Sequence, residues 1–240
     1  MLEGKFSAAE QLIAETRSLG ERAQSWNAAA TYGLQLYVLR RDQGRLEEVE
    51  DLVRRAVTDS PTYPIWRCVL ANMLAELGST AEARIELEAL AVDGFSVIPF
   101  DEEWEVSLCF LAETAARLGE KYHAATLYEL LLPYADKVAL SYPEISLGPI
   151  ARFIGILAST TCRYDDAARH LEDALAMNER IGARPWLAHA QEDYAHILLR
   201  RGESGDAEKA RSLLDSARTA YHELGVSAPA SSALASPSPL

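Results

Sequence analysis

The sequence has few basic residues for its length. Lysine and arginine together number 23 against 36 aspartate and glutamate residues, so the formal net charge is −13. A chain of this charge repels the phosphate backbone of nucleic acids unless its cations are clustered. Its arginine pairs, Arg40-Arg41, Arg54-Arg55 and Arg200-Arg201, are far apart in the sequence. We therefore expect no direct nucleic-acid partner.

Cysteine is also scarce, and its spacing argues against a disulfide framework. Cys68, Cys109 and Cys162 are odd in number and form no C-x-x-C motif, which is typical of buried thiols in a reducing compartment. The stretch from Met1 to Lys5 contains an acid and no apolar leader, and apolar runs such as Phe153 to Ala158 are too short to cross a bilayer. The sequence predicts a cytoplasmic protein that does not enter the membrane.

Motifs that carry chemistry are missing as well. The sequence contains no G-x-x-x-x-G-K-[ST] loop to cradle phosphates, and no Ser/His/Asp or Cys/His set has the context of a nucleophilic centre. The neighbouring acids Asp165 and Asp166 stand at the start of a predicted helix, where carboxylates cap N–H groups. We predict no catalytic residue, no cofactor and no metal, although groups that are distant in sequence can still meet in a fold.

What the sequence does contain is an internal repeat. Six anchor positions lie 40, 34, 41, 43 and 43 residues apart. A small or compact residue stands five positions after each anchor. Another residue, usually larger and apolar, stands nine positions after it. These two positions are four residues apart, so they lie on one face of a helix. The anchors are Gly4, Gly44, Gly78, Gly119, Cys162 and Gly205, and the residues five positions later are Ala9, Val49, Ala83, Ala124, Ala167 and Ala210.

Each anchor is interpreted as the turn of a helical hairpin. Glycine adopts a positive φ readily, so it can end one helix (helix A) and lead into the next (helix B). The pattern predicts an all-α fold of about eleven helices, a right-handed superhelical solenoid of antiparallel helix pairs over residues 1–225. No segment shows the sustained alternation of apolar and polar residues that is typical of a strand, and this includes the long loops 92–101 and 133–147. The uncharged tail 226–240 is predicted to be disordered.

Individual segments resemble the tetratricopeptide-like (TPR-like) C-terminal region of large bacterial signalling ATPases. In that family a P-loop ATPase module, sometimes with a nucleotide-cyclase or LuxR-type DNA-binding domain, carries a helical array. The resemblance runs from Gly4 to Gly225 and is specific from Tyr128 to Gly205. Because the ATPase, cyclase and DNA-binding motifs are missing, it implies a scaffold or sensor role. The segments are Leu87–Ala91, Phe95, Pro99, Trp104, Leu118–Gly119, Tyr128–Ala135, Ala168–Leu175, Gly182–Ala188, Asp193–Ala195, Leu198–Gly202 and Gly205–Asp206.

Two residues on predicted A helices are candidates for ligand binding. Arg152 stands among apolar residues, where a lone cation suits an anionic ligand or a peptide carboxylate. The alternative is a salt bridge to a neighbouring repeat, which is slightly favoured. Trp104 belongs to a set of aromatic residues on A helices, some of which could face a ligand in a concave groove. For most of that set, packing between helices is the better explanation.

A polar stripe on the last A helix is a further candidate. His189, Glu192, Asp193 and His196 follow each other at helical spacing, so two imidazoles and two carboxylates share one face. His189 and His196 are two turns, about 10 Å, apart, which is too far for both to bind one ion. The stripe is therefore predicted to be a solvated polar face that can contribute to ligand binding, and not a metal site.

The N-terminal helix raises the question of an interface. Phe6, Leu12 and Ile13 belong to a helix B that has no helix A before it, so their apolar face has no predicted partner. Covering three such side chains is worth roughly 5–9 kcal/mol. We expect this face to bind another protein, and a homodimer through the first helix is one form of that interface.

Three functions remain open at this point. The first is a regulatory or scaffold module that binds a peptide, a protein domain or a small effector in a concave groove. The second is a small-molecule-binding protein or enzyme of bacterial secondary metabolism, which a deep cavity ringed by Arg152, Trp104 and the His189 stripe would favour. The third is a structural homo-oligomer. An enzyme is the less favoured class, because the fold alone carries no chemistry.

Overall fold

The computed structural model describes residues 1–24, 28–142 and 144–226, so the tail 226–240 that was predicted to be disordered lies outside the described residues except for Val226. Within these ranges the chain forms eleven α-helices, which confirms the predicted all-α class. Short 3-10 helices cover Leu46–Val49 and Leu132–Tyr134. The α-helices are Phe6–Arg22 (α1), Ala28–Asp42 (α2), Glu50–Asp59 (α3), Ile65–Glu76 (α4), Thr80–Leu90 (α5), Trp104–Leu118 (α6), Lys121–Leu131 (α7), Ile150–Thr160 (α8), Tyr164–Ile181 (α9), Arg184–Arg201 (α10) and Asp206–Leu224 (α11).

The turns between paired helices have the conformation that the repeat predicts. All six anchors have a positive φ, from +63° at Cys162 to +88° at Gly205. In four of the turns the residue after the anchor donates its N–H to the carbonyl five residues earlier, at 2.8–2.9 Å, as in a Schellman motif. These donors are Arg45, Ser79, Glu120 and Arg163. The anchor is therefore a real structural position, and Cys162 adopts it without being glycine.

The small residues of the repeat lie where two helices touch. Ala83, Ala124, Ala167 and Ala210 are fully buried. The closest approach is between α8 and α9, where a Cβ on Gly155 would collide with Leu171. Small side chains at these positions let neighbouring helices pack closely, and the larger residues one turn later fill the remaining space. Consecutive helices thus pack on one another as the repeat predicts, whereas the right-handed superhelical solenoid stays a prediction.

One predicted loop contains a β-hairpin, and the expectation of no strands is wrong. Val138–Ser141 (β1) pairs antiparallel with Ile145–Pro149 (β2), with an irregularity between Ala139 and Leu140. Burial alternates along β1, since Ala139 and Ser141 are buried and Leu140 is exposed. The strands are only four and five residues long, too short to give a sustained period of two in the sequence.

The hairpin packs against three A helices and one B helix and helps to enclose them. It contacts α2, α6, α8 and α9. All eleven residues of α8 are buried, as are the ten residues from Val106 to Ala115 of α6. A helix that is buried all round offers no face to a ligand. The expectation that the central A helices line an open concave groove therefore has no support in α8 or in the segment Val106–Ala115 of α6.

The two ends of the described array touch each other. Phe6 and Ile13 of α1 form a buried cluster with Leu39 of α2, and Leu224 and Val226 at the end of α11 pack against it. The carbonyl of Leu2 accepts a hydrogen bond of 3.0 Å from the N–H of Arg184. Gly4 lies so close to Leu224 that a Cβ there would collide with it. The packing joins the first helix to the last through sequence-remote contacts.

This contact corrects the prediction made for the N-terminal face. Phe6 and Ile13 are each only 6% exposed, so the chain itself covers them, whereas Leu12 is 61% exposed. The sequence alone suggested an uncovered face because α1 has no helix before it, whereas in the structure the cover comes from Leu39 on the following helix α2 and from Leu224 and Val226 at the other end of the chain. A homodimer through α1 stays a prediction that now depends on Leu12. Cys162 is likewise exposed, contrary to the expectation of three buried thiols, while Cys68 and Cys109 are buried.

Cys162 provides a test of the turn geometry. A non-glycine residue at positive φ carries strain of about 1 kcal/mol or more, while glycine adds some chain entropy to the unfolded state. We expect Cys162→Gly to raise the free energy of unfolding by about 0.5–1 kcal/mol, measured by urea denaturation.

Gly119 is the matched control for this test. It has φ +69°, and no atom lies within 4 Å of an added Cβ, so Gly119→Ala changes backbone strain alone. This variant should lose about 1 kcal/mol. A decrease for Cys162→Gly would contradict the turn interpretation and show that the thiol makes contacts worth more than the strain.

Candidate functional site

Arg152 is held in salt bridges inside the fold. It stands on the first turn of α8 and is 4% exposed. Its Nη1 donates to Oε1 of Glu113 on α6 at 2.8 Å, and its Nε donates to Oδ2 of Asp193 on α10 at 2.8 Å. Its Nη2 is also 2.7 Å from the same Asp193 oxygen. Of the two alternatives drawn from the sequence, the structure therefore has the salt bridge to neighbouring helices.

The ion pairs continue from Glu113 towards the N-terminal half. The second oxygen of Glu113 accepts a hydrogen bond of 2.6 Å from Nη2 of Arg41 on α2. Nε of Arg41 donates to Glu76 on α4 at 2.9 Å. We call Arg41, Glu76, Glu113, Arg152 and Asp193 the interior ion-pair network. One chain of contacts in this network connects the five helices α2, α4, α6, α8 and α10.

Neutral polar groups complete the surroundings of Glu113. Asn72 of α4 donates its amide to Oε2 of Glu113 and to the carbonyl of Phe110, both at 3.2 Å. The hydroxyl of Tyr37 on α2 donates to the amide oxygen of Asn72 at 2.7 Å. Buried charges are tolerated when each is paired and hydrogen-bonded, and Glu113 meets both conditions.

The residues of the polar stripe on α10 contact different partners. Asp193 belongs to the interior ion-pair network, whereas His189 lies with its Nε2 3.9 Å from Asp42 at the end of α2. Tyr221 of α11 donates its hydroxyl to Glu192 at 3.0 Å and lies 3.1 Å from Nδ1 of His189. The stripe thus connects α10 to α2 and α11. Among the described residues no group of three or more His, Cys, Asp or Glu side chains could hold a metal ion.

Two predicted site residues lie outside this network. His196 is half-buried on α10. Trp104 begins α6, and its ring contacts are with Phe100 and Tyr134. The structure therefore brings Arg152 and Asp193 into direct contact, places His189 one helical turn from Asp193, and leaves Trp104 and His196 elsewhere. Among the described residues Arg152 is enclosed by Glu113 and Asp193 and Trp104 packs with Phe100 and Tyr134, so the predicted cavity ringed by Arg152, Trp104 and the His189 stripe has no support there.

Electrostatics fix the charges of the network. Burial acts to raise the pKa of the Glu113 carboxyl, but Arg41, Arg152 and Arg117 more than offset it and lower the pKa to about 2. Burial opposes the charged forms of Arg41 and Arg152, yet the facing carboxylates raise the pKa of both guanidinium groups. Glu113, Arg41 and Arg152 therefore stay charged at neutral pH and bind one another. Such groups are better suited to holding helices together than to transferring protons.

Trp104 belongs to a cluster of aromatic residues at the protein surface. Its ring lies 5.0 Å from Phe100 at 66° and 5.4 Å from Tyr134 at 64°, both in edge-to-face geometry. Phe100 is 74% exposed, while Trp104 and Tyr134 are half-buried. We call Phe100, Trp104 and Tyr134 the aromatic surface.

Charged residues surround the aromatic surface. Nζ of Lys137 lies 4.8 Å from the centre of the Tyr134 ring and 3.9 Å from the carboxylate of Glu105. Asp101 and Glu102 are exposed beside Phe100 in the sequence. Acidic groups thus outnumber the one cation at this edge of the fold.

Glu103 is the buried member of this acidic edge. It accepts a hydrogen bond of 2.8 Å from the hydroxyl of Tyr63. Burial raises the pKa of its carboxyl to about 7, with further contributions from Glu144, Asp101 and Glu102, although the Tyr63 hydrogen bond acts in the opposite direction. Glu144, at the tip of the hairpin, accepts hydrogen bonds from Thr31 and Ser141 at 2.9 and 2.8 Å.

Leu12 lines a second apolar surface. A groove of about 480 Å³ runs between α1 and the hairpin, and the exposed side chains of Leu12, Leu140 and Tyr142 contribute to it. A more polar cavity of about 760 Å³ lies between α10 and α11. Neither contains a residue that the sequence singled out for chemistry.

Comparison of the chain with family models, curated proteins and solved structures finds no match. The resemblance to the helical-repeat region of bacterial signalling ATPases therefore stays a prediction. In the described part of the chain, none of the helices combines the length and the apolar character that a membrane span requires.

The interior ion-pair network gives a test of its own. Glu113→Gln leaves the buried charges of Arg41 and Arg152 without the carboxylate between them. Removing one partner of a buried pair costs about 3–5 kcal/mol, so we expect a loss of this size in the free energy of unfolding, measured by urea denaturation.

The exposed residue Glu129 on α7 provides the control, because Glu129→Gln removes the same charge from the surface. It should change stability by less than about 0.5 kcal/mol. If both variants lose the same small amount, the network contributes little to stability.

Glu103 predicts a dependence on pH. Its folded-state pKa of about 7 is above the ordinary value of 4.5. The stability linked to this group is therefore fully present below about pH 4.5 and is lost as the pH rises through about 7. We expect Glu103→Gln to be more stable than the wild type by roughly 1–3 kcal/mol at about pH 8 and nearly equal to it at about pH 4.

The measurement is thermal or urea unfolding of both proteins across this range. Glu129→Gln serves as the control and should follow the wild type at every pH. A stability difference between the Glu103 variant and the wild type that does not change with pH would contradict the raised pKa.

Proposed function

We propose that this protein is an interaction module that binds a segment of a partner protein at its aromatic surface, without performing chemistry. The observation that carries the proposal is the exposed cluster of Phe100, Trp104 and Tyr134. Tryptophan, tyrosine and phenylalanine are enriched where proteins bind one another, because their rings bury much apolar area at small entropic cost. A ring as exposed as Phe100 gains most from such burial.

The interior supports the same division of roles. The charges of Arg152, Glu113 and Asp193 are directed at one another. The helices that would line a groove are enclosed by the hairpin and by neighbouring helices. A partner that binds without unfolding this interior must use the outer surface. This proposal retains the predicted regulatory or scaffold role and moves its binding site from the groove to the aromatic surface.

The rival function, a small-molecule-binding protein or enzyme, depended on a shared cavity. Arg152, Trp104 and His189 would have to line it together. Arg152 is instead bound by Glu113 and Asp193, and Trp104 packs with Phe100 and Tyr134. The geometry therefore gives the interaction module more support than the rival.

Peptide selection tests the proposal. A displayed library of random linear peptides is selected on the wild-type protein, and the enriched peptides are measured against Phe100→Ser. Removing a central aromatic side chain from an interface costs more than about 1 kcal/mol, so affinity should fall by about tenfold.

Tyr122→Ser is the matched control, because Tyr122 on α7 is 79% exposed and is not part of the aromatic surface. This variant should bind the enriched peptides as the wild type does. Peptides that bind all three proteins equally would contradict the proposed site, and melting temperatures of the variants show that each is folded.

A further inference from the structure

We infer that the partner segment is basic, and that an arginine or lysine side chain of it binds between the rings of the aromatic surface and the carboxylates beside them. This inference rests on the proposed function and adds the chemistry of the partner. It begins from the chain's own cation. Lys137 holds its ammonium group over the Tyr134 ring and near Glu105, so this edge already binds a cation of the kind inferred.

The arrangement of the rings leaves room for a second cation. The three rings make two edge-to-face contacts with each other, and these occupy at most two ring faces. Lys137 uses one side of Tyr134. The 74% exposure of Phe100 shows that its ring is open to a partner. Aromatic faces carry the negative part of the ring quadrupole, and a guanidinium or ammonium group within about 6 Å is attracted to them.

The charges at this edge favour the same partner. Asp101 and Glu102 are exposed next to Phe100, and Glu105 follows Trp104 on the first turn of α6. Burial is the main cause of the raised pKa of Glu103, and the charges of Glu144, Asp101 and Glu102 act in the same direction. The net charge of −13 adds a long-range attraction for cations. An acidic segment would be repelled, and an uncharged one would gain nothing from these carboxylates.

Arginine fits the combination better than lysine in one respect. Its planar guanidinium can stack on an aromatic ring and donate two parallel hydrogen bonds to one carboxylate. Both kinds of contact are available within this one edge of the fold. A partner segment with arginine residues spaced along an extended chain would use the rings for specificity and the overall charge for fast association.

The test uses two labelled peptides of equal length, one of alternating arginine and glycine and one with glutamine in place of arginine. Binding to the full chain is followed by fluorescence anisotropy. The arginine peptide should bind, and the glutamine peptide should bind at least about tenfold more weakly. Phe100→Ser and Glu105→Gln should each weaken the arginine peptide by about fivefold or more.

Two control variants separate the site from the general charge of the protein. Tyr122→Ser removes an exposed ring elsewhere, and Glu129→Gln removes an exposed carboxylate elsewhere. Each should change the affinity by less than about twofold. If Glu105→Gln and Glu129→Gln have equal effects and Phe100→Ser has none, the attraction is non-specific and the inference is overturned.

The remaining outcomes distinguish this inference from the proposed function. One outcome is that the glutamine peptide or uncharged library peptides bind in a way that depends on Phe100, and that the arginine peptide binds no more tightly than they do. This outcome would overturn the inference of a basic partner but would leave the proposed interaction module in place. Absence of any Phe100-dependent binding, by these probes and by the library, would overturn both.

Discussion

The carboxylate of Glu113 lies between two guanidinium groups, and the arrangement of the A helices depends on that position. Its oxygens receive Arg152 from α8 and Arg41 from α2, helices that lie far apart in the sequence. A buried ion pair adds little net stability compared with apolar packing, but it penalises every arrangement that leaves one of its charges alone. Helices built mainly of leucine, alanine and isoleucine could slide past one another at small cost. The network opposes such sliding, because a shift of one turn would separate Arg152 from Glu113 or Asp193.

Of the predicted ligand-binding residues, Trp104 lies on the proposed binding surface, whereas Arg152 and Asp193 lie in the interior. Arg152 and Glu113 are bound by other side chains of the fold, so they contribute to its shape and are not available to a ligand. The aromatic surface has the opposite character, since its rings are partly exposed and its carboxylates are mostly unpaired with cations. Substitutions in the interior should therefore act on folding, and substitutions at Phe100 should act on recognition. In many enzymes one set of residues serves both purposes, and here the two sets are distinct.

Local features were predictable from the sequence, and features that join distant segments were not. The anchors Gly44, Gly78 and Gly119 and the buried alanines after them follow from a short-range pattern, because a turn and a close helix contact are determined within a few residues. Arg152 stood out as a lone charge in an apolar helix. Glu113 carries the same signal, an acid between Ala112 and Thr114 in the apolar part of α6, and pairing lone charges of opposite sign would have found it.

The hairpin and the aromatic surface illustrate the limit. The strands Val138–Ser141 and Ile145–Pro149 are too short to show a reliable alternation of apolar and polar residues. Contacts with α6 and α8 help to bury them. Phe100 lies four residues before Trp104, but Tyr134 comes from beyond the next helix, and no local pattern relates Tyr134 to the other two rings. Part of the cover on Phe6 and Ile13 comes from Leu224 and Val226, which are more than two hundred residues away, and part from Leu39 of α2.

The contact of Leu224 and Val226 with the N-terminal residues should change how the helical array unfolds. An open row of repeats is nearly one-dimensional, so its units can fray from either end and a unit can be added or lost without strain. The contact between Gly4 and Leu224 couples the two ends of the described residues, so we expect the helices at these ends to unfold together. An inserted helix pair would separate Gly4 from Leu224 and break this contact. Folding must also close a loop that spans almost the whole described chain, an entropic cost that grows with the logarithm of its length and comes before the contact is formed.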